Sequence, residues 1–540
     1  MSGSVPWSTV VPANRTSELA GAQLRPSHHR PQLLTELLKV AAASSPGPLP
    51  ELSVRGVSAD SQQVRPGDLF AALPGSRGHG VHYAPAAVAA GALALLTDVS
   101  GASELAGLGL AGLPTLISTD PRAVLGPVSA QIYGHPSRAL GVLGVTGTSG
   151  KTTTTFLVRA GLAAAGIESG LIGTVGIFLG PKVVKLPFTT PEAPQLQALL
   201  AVMAEQAIST VAMEVSSHAL RLGRVDGTEF EVAAFTNLSQ DHLDFHTDMA
   251  DYFQAKSLLF DGRARREVVV IDDEWGQRLV RPRTVTVSAE GAPATWQAGQ
   301  ITTSPDGSTR FMVRGPGVTF AAGCRIPGRY NVANTLLACA ILAEAGLDVP
   351  AVAGALATAQ VPGRMERVDG SQPFLAVVDY SHKPAGVAGA LRGLRPLTSG
   401  RLIVVLGCGG DRDRGKRPVM GEVAARGADL LIVTDDNPRS EDSGEIRAAM
   451  LAGARAVPAG QAGQIIEQGD RRQAIRAAIS LAEPGDTVLV AGKGHETGQD
   501  VGGVMLPFDD VSVLRETLRD HGFSVADSGE TATDRNVTGS

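Results

Sequence analysis

Cysteine is scarce. Three residues in 540, Cys324, Cys339 and Cys408, share no metal-ligand spacing, and an odd number completes no disulfide framework. That usage suits a reducing cytoplasm. An excess of one charge is also missing: 47 Lys and Arg stand against 53 Asp and Glu, a net of −6. Such a chain has no general attraction for nucleic acid or anionic membranes, so small molecules are its expected partners. Long apolar runs are lacking as well. Segments such as Ala86–Leu96 stop well short of the ~20 residues a spanning helix needs. Residues 1–30 contain no apolar h-region and read as a flexible leader, and residues 526–540, rich in Ser, Thr, Gly and Asp, read as a flexible tail.

What is abundant is glycine, 64 residues, within 43% hydrophobic content. That combination predicts an α/β protein with many tight strand–helix turns, and the length predicts three domains. We place them at 31–138, 139–366 and 367–525. The centre of the chain is Gly141–Thr155, GVLGVTGTSGKTTTT. An apolar strand runs into Gly147-Thr148-Ser149-Gly150, and Lys151, Thr152 and Thr153 open a helix. Successive backbone N–H groups and the helix dipole would cradle a phosphate, with Lys151 on the β/γ-phosphates and Thr152 on Mg²⁺. Val145 occupies the position where the general P-loop pattern has its first Gly.

Further strands are expected at Ser169–Val175, Thr210–Val215, Val232–Asn237 and Glu267–Asp272. Thr190 is expected to cap a helix that follows it. Glu214 ends an apolar strand, and a buried carboxylate there must be paired or metal-bound. Thr152, Glu214 and His242 would fall at the carboxyl edge of one parallel sheet, where ligands gather. Lys256 reads, by periodicity, as a lysine on the polar face of a helix. Asn331 and Asn334 open a helix where they would read a purine edge or cap the helix. Asp60-Ser61 reads equally as a turn or a ligand contact. The third domain repeats the strand–helix rhythm without a G-x-G-x-x-G fingerprint. Its strand ends carry Asp379 with His382 and Lys383, Asp411–Arg414, Asp436-Asn437-Pro438-Arg439 and Lys493–Glu496. Arg412 and Arg439 suit a substrate bearing carboxylates, and Glu496 suits an ammonium group.

Together these motifs resemble the Mur ligase family of ATP-dependent amide-bond synthetases, over about Leu52 to Phe523. The resemblance rests on Gly147–Thr152, Glu214 with Ser216-Ser217-His218, Asn237–Asp244, Asn331 and Asn334, Pro362–Glu366, and Asp379–His382. Val145 fits the family's own GTxGKT pattern. Ser381-His382-Lys383-Pro384 departs from the Ala-His-Thr-Pro type expected there. Asp60-Ser61 followed by Arg65–Phe70 is similar to the uridine-nucleotide domain of the member acting on UDP-N-acetylmuramoyl-L-alanyl-D-glutamate. Asp436–Arg439 is similar to the form that selects meso-diaminopimelate over lysine.

The resemblance implies an acyl-phosphate mechanism with ATP and two Mg²⁺ ions. Lys151, Glu214, His242 and Lys256 would be catalytic. Thr152, Glu214, His242 and a carbamylated Lys256 would hold metal. Besides Gly147–Thr153, ATP would meet Asn334, Arg364, Asp379 and His382. Ser61, Thr189, Thr190, Ser216 and Arg224 would contact the uridine-linked substrate. Arg412, Asp436, Asn437, Pro438, Arg439, Gly492 and Glu496 would hold the amino acid. A cytoplasmic monomer without nucleic-acid or membrane partners is expected. The rivals are a lysine-adding relative, a folylpolyglutamate synthase-like ligase, a P-loop switch and a silent scaffold. The chain contains no guanine-reading Asn-Lys-x-Asp motif, which argues against the switch.

Overall fold

The computed structural model describes residues 24–525 except 76, 77, 181, 244 and 305. The strands form three principal sheets, each served by helices, so the α/β expectation holds. The first has four parallel strands in the order Gly56–Ser58, Asp68–Ala71, Ala94–Thr97 and Thr115–Ile117. The second has eleven, in the order Lys182–Val184, Ile177–Leu179, Ser169–Ile172, Thr210–Glu214, Gly141–Thr146, Phe230–Phe235, Ala264–Val270, Val285–Ser288, Trp296–Thr303, Thr309–Gly315 and Val318–Cys324. Its middle is parallel, and both flanks are antiparallel. The third runs Glu366–Arg367, Leu375–Asp379, Thr487–Ala491, Leu402–Leu406, Leu430–Val433 and Gln464–Glu467, parallel except for the first.

The apolar runs read as strands because both faces of the sheet are covered. Along the central strands, Leu143, Val145, Ala212, Val232 and Ala234 join one core, and Val142, Val211, Met213, Ala233 and Phe235 join the other. Alternate side chains therefore enter opposite cores, as the two-residue period of a strand requires. The helix Lys151–Ala164 closes the first core by packing Leu157, Val158 and Leu162 against Leu336, Leu342 and Leu356. It ends where Gly166 takes φ +74 just beyond the C-cap.

The second and third sheets share a core. Phe156 and Leu171 lie in one apolar cluster with Met365, Val377, Val404 and Leu406. Among the described residues no helix is long and apolar enough to cross a membrane.

Several expectations need correction. Residues 24–30 are not a loose leader: Arg25 grips Asp68 at 2.5 and 2.8 Å, and the backbone N–H groups of Ser27 and His28 donate to Glu205. Asp68 is buried at the head of a strand and needs that counter-charge. Residues 1–23 and 526–540 lie outside the described part. Thr190 does not cap the next helix, which starts at Ala193 after Glu192. The antiparallel strands from Trp296 to Cys324 went unpredicted.

Arg471 and Asp510 form a completely buried pair behind the third sheet, joined by two bonds of 2.8 Å. Arg471→Ala leaves that carboxylate without its cation, a loss of roughly 3–5 kcal/mol. Calorimetry should show an unfolding transition lowered by about 10 °C. Arg471→Met with Asp510→Leu should recover most of the loss. An unchanged transition in the single variant would mean that Asp510 does not depend on Arg471.

Candidate active site

The strand Gly141–Thr146 delivers its loop at the carboxyl edge of the central sheet. Gly147 has φ +142 and Gly150 φ +90, and neither place has room for a side chain. A Cβ would stand 1.8 Å from Thr236 Oγ1 at Gly147 and 2.3 Å from Asn334 Oδ1 at Gly150. Thr148 and Ser149 are fastened to the neighbouring strand end: Ser239 N donates to Thr148 Oγ1, Ser149 N to Asn237 Oδ1, and Thr236 Oγ1 to Ser149 O at 2.6 Å. Thr153 is buried in the first turn of the helix.

Two lysines converge on this loop. Lys151 Nζ donates to the carbonyls of Gly147 and Thr148, each at 2.9 Å, and Lys256 Nζ donates to Gly147 O at 2.7 Å. Burial lowers the pKa of Lys151 against the pull of Glu214 and Asp241. Burial, reinforced by the Lys151 charge, pushes Lys256 well below an ordinary lysine. The surface-lysine reading of Lys256 is therefore wrong: it is 1% exposed, over the Tyr252 ring.

Glu214 is equally enclosed and is satisfied by hydrogen bonds. Its carboxylate accepts from Thr152 Oγ1 at 3.0 Å and from the N–H and hydroxyl of Thr174 at 2.8 and 3.1 Å. His242 sits apart, in the left-handed region at φ +52, with its ring 3.4 Å from Asp241 and 4.9 Å from the centre of His218. Burial holds its pKa down at about 4, so the imidazole is neutral. Thr152, Glu214, His242 and Lys256 thus surround one loop without closing into one ligand shell. Among the described residues no three His, Cys, Asp or Glu gather for a metal.

The third domain reaches this centre. Arg364 lies over the Tyr380 ring and donates to Thr152 Oγ1 at 3.4 Å. Lys383 pairs with Asp241 across the domains, and Lys185 donates to Thr497 at 2.5 Å. Asp379 accepts from the N–H groups of Met365 and Ser381, both at 2.8 Å, and so shapes the hinge. His382 Nδ1 lies 2.8 Å from Tyr380 O, and burial holds its pKa down at about 4. Asn334 donates to Asn331, and its oxygen faces Gly150, which puts the amide at the phosphate loop.

The other clusters fall as follows. Thr189 meets Thr174 at 3.1 Å; Thr190 donates to Glu214 O and accepts from Ser216 N; Ser216 caps the helix Ser217–Arg221. Arg224 is bound to Glu192 at 2.9 Å and to Thr190 O, beneath Phe188. Ser61 stands in a turn capped by Asp60 and tied through Gln63 to Gln195.

At the third sheet, Arg412 and Arg439 flank Gly409, and Arg439 donates to Gly410 O at 2.7 Å. Pro438 packs its carbonyl against Gly410, and Asp436 lies against Gly492. Asn437 donates to Glu496 at 2.8 Å. The sequence carries no mark of Thr174, and it places Lys383 and Lys493 in polar strand-end clusters without showing that the first reaches Asp241 and the second lies in the interior.

Three family descriptions fit the chain in order: "Mur ligase family, catalytic domain" at residues 53–126, "Mur ligase middle domain" at 145–342, and "Mur ligase, glutamate ligase domain" at 363–494. A UDP-N-acetylmuramoyl-L-alanyl-D-glutamate–2,6-diaminopimelate ligase of Streptomyces coelicolor is 53% identical over 90% of this chain and 96% of its own. The ligase of the same name from Corynebacterium efficiens is 51% identical over 87% and 91%. A solved structure of that name superposes with TM-score 0.66 at 31% identity, over 90% of this chain and 99% of the other. MurF from Acinetobacter baumannii, at 18% identity and TM-score 0.58 over 91% and 98%, shares the fold. With the three Mur ligase descriptions following one another along the chain and relatives at about half identity covered over nine-tenths of their length, this protein belongs to the Mur ligase family.

Proposed function

We propose that this enzyme joins meso-diaminopimelate to UDP-N-acetylmuramoyl-L-alanyl-D-glutamate, with ATP as the energy source, in peptidoglycan precursor synthesis. The observation that carries the reading is the meeting of two strand-end clusters. Lys151 and Lys256 meet on Gly147 at the carboxyl edge of the central sheet, Arg439, Asn437 and Glu496 follow strands of the third, and between them Arg364 touches Thr152 and the Tyr380 ring while Gly363 lies against Gly494 and His495. The names of relatives at about half identity support the same substrates. In this reading residues 31–138 take the uridine nucleotide, 139–366 the ATP and 367–525 the amino acid.

The chemistry follows from charge. The D-glutamate side-chain carboxylate takes the γ-phosphoryl group and ADP leaves; the diaminopimelate amine then displaces phosphate from the acyl carbon. Bringing a carboxylate to a triphosphate opposes like charges, so cations must line the approach. Lys151 and Arg364 supply two. Ser216, Thr189, Thr190 and Arg224 hold the acceptor, and Asn334 and His382 flank the nucleotide. Oxygen donors suit Mg²⁺, and Thr152 and Glu214 provide them beside the neutral His242 imidazole. Those residues, with Lys256 as a carbamate, would hold two ions. Magnesium would supply charge neutralisation on the phosphates. Carbamylation requires an unprotonated amine, and burial shifts Lys256 toward that form. Diaminopimelate differs from lysine by one carboxylate, which a guanidinium fork at Arg439 recognises. The enzyme would act as a cytoplasmic monomer.

Phosphate release should require the UDP-muramoyl dipeptide and ATP, and should proceed with meso-diaminopimelate but not L-lysine. Equal rates with lysine would transfer the assignment to the lysine-adding ligase. Arg439→Ala should raise the KM for diaminopimelate at least about tenfold; an unchanged KM removes Arg439 from the pocket. Lys256→Ala should abolish turnover, and an added short-chain carboxylate should restore part of it. Full turnover in that variant would deny Lys256 any catalytic part.

A further inference from the structure

Lys493 is a charged residue with no solvent exposure, directly behind the third-sheet cluster. It leaves the strand Thr487–Ala491 between Gly492 at φ +115 and Gly494 at φ +55, a turn that carries its side chain inward. Its ammonium donates to Asn437 Oδ1 at 3.0 Å and to Glu496 Oε2 at 3.1 Å, and stands 3.8 Å from Asp436 Oδ1.

The backbone N–H of Asp500 donates to the same Asn437 Oδ1 at 2.9 Å, and Asn437 Nδ2 donates to Glu496 Oε2 at 2.8 Å. An ammonium and a backbone N–H can only donate, so the Asn437 oxygen must face them and its nitrogen must face Glu496. This network uses one of the two N–H groups on Nδ2 and one of the two oxygens of Glu496. The other N–H remains a donor for a carboxylate, and the other oxygen an acceptor for an ammonium.

We infer that Lys493 is a positioning residue that sets amino-acid specificity: it fixes Asn437 and Glu496 and places a positive charge between the carboxylates of Asp436 and Glu496. This rests on reading the cluster as the amino-acid pocket. With the lysine present, the pocket accepts a side chain whose far end carries both an ammonium and a carboxylate. Without it, two carboxylates lose their interior cation, Asn437 can rotate, and the pocket favours an ammonium alone. A merely structural lysine would weaken every amino acid alike.

The test uses the full-length enzyme as wild type, Lys493→Met, Lys493→Gln and Lys493→Arg. Steady-state phosphate release gives the KM for meso-diaminopimelate, the inhibition constant of L-lysine against it, and the KM for ATP. Lys493→Met should raise the diaminopimelate KM about tenfold or more, through the lost charged contacts. It should leave lysine inhibition unchanged or stronger, and the ATP KM within about twofold. Lys493→Arg, which keeps the charge, should retain most of the wild-type preference. Should the Met variant fail to fold, the Gln variant decides by the same ratio. Parallel weakening of diaminopimelate and lysine, or no change in either, overturns the inference. A wild type indifferent to diaminopimelate overturns instead the reading of the pocket, whatever the variants do.

Discussion

The carbonyl oxygen of Gly147 is the point on which the active centre depends. It accepts from two lysines, Lys151 and Lys256, that approach from different helices. Two ammonium groups on one carbonyl repel, and burial penalises both charges, so each is displaced toward its neutral form. Anions relieve that arrangement in two ways. In the function proposed above, a triphosphate would bring negative charge to Lys151, and a carbamate would convert Lys256 from a second cation into an anion. Gly147 can present its carbonyl so because it lacks a side chain, in a backbone region few other residues adopt.

Around that point the two larger sheets complete each other. Thr152 is held on one side by Glu214 and touched on the other by Arg364 from the hinge. Lys383 and Lys185 make polar contacts across the same boundary, and Phe156 shares a core with the third sheet. The nucleotide loop and the hinge therefore cannot be moved independently. In the function proposed above, bringing the third domain up to the loop and completing the charge lining would be one event.

Much of this was legible in the chain because it is local. The apolar strand into Gly147–Thr152, and the polar residues placed just beyond apolar runs at Asp379, Asp436 and Lys493, follow from strand period and loop chemistry alone. What escaped depends on distant partners. Nothing near Lys256 announces that its ammonium turns inward over the Tyr252 ring to Gly147, and periodicity assigns it to water. Thr190 has a capping residue's chemistry, yet its hydroxyl is drawn to Glu214 and Ser216 instead. Arg25 looked like leader sequence because Asp68, its partner, lies 43 residues away. The strands from Trp296 to Cys324 are half-exposed along much of their length, so their apolar pattern is diluted.

The cluster proposed to hold the amino acid lies in segments that follow strands of the third sheet, at 407–412, 434–439 and 492–500, the last running into the hairpin strand Gly498–Val501. None of these segments contributes a strand to the sheet that carries the phosphate loop. The two halves of the reaction are therefore encoded in separable stretches of chain. In the function proposed above, the choice of amine is written in those segments and the phosphate chemistry in the glycine loop, so the two lie on different stretches of the chain.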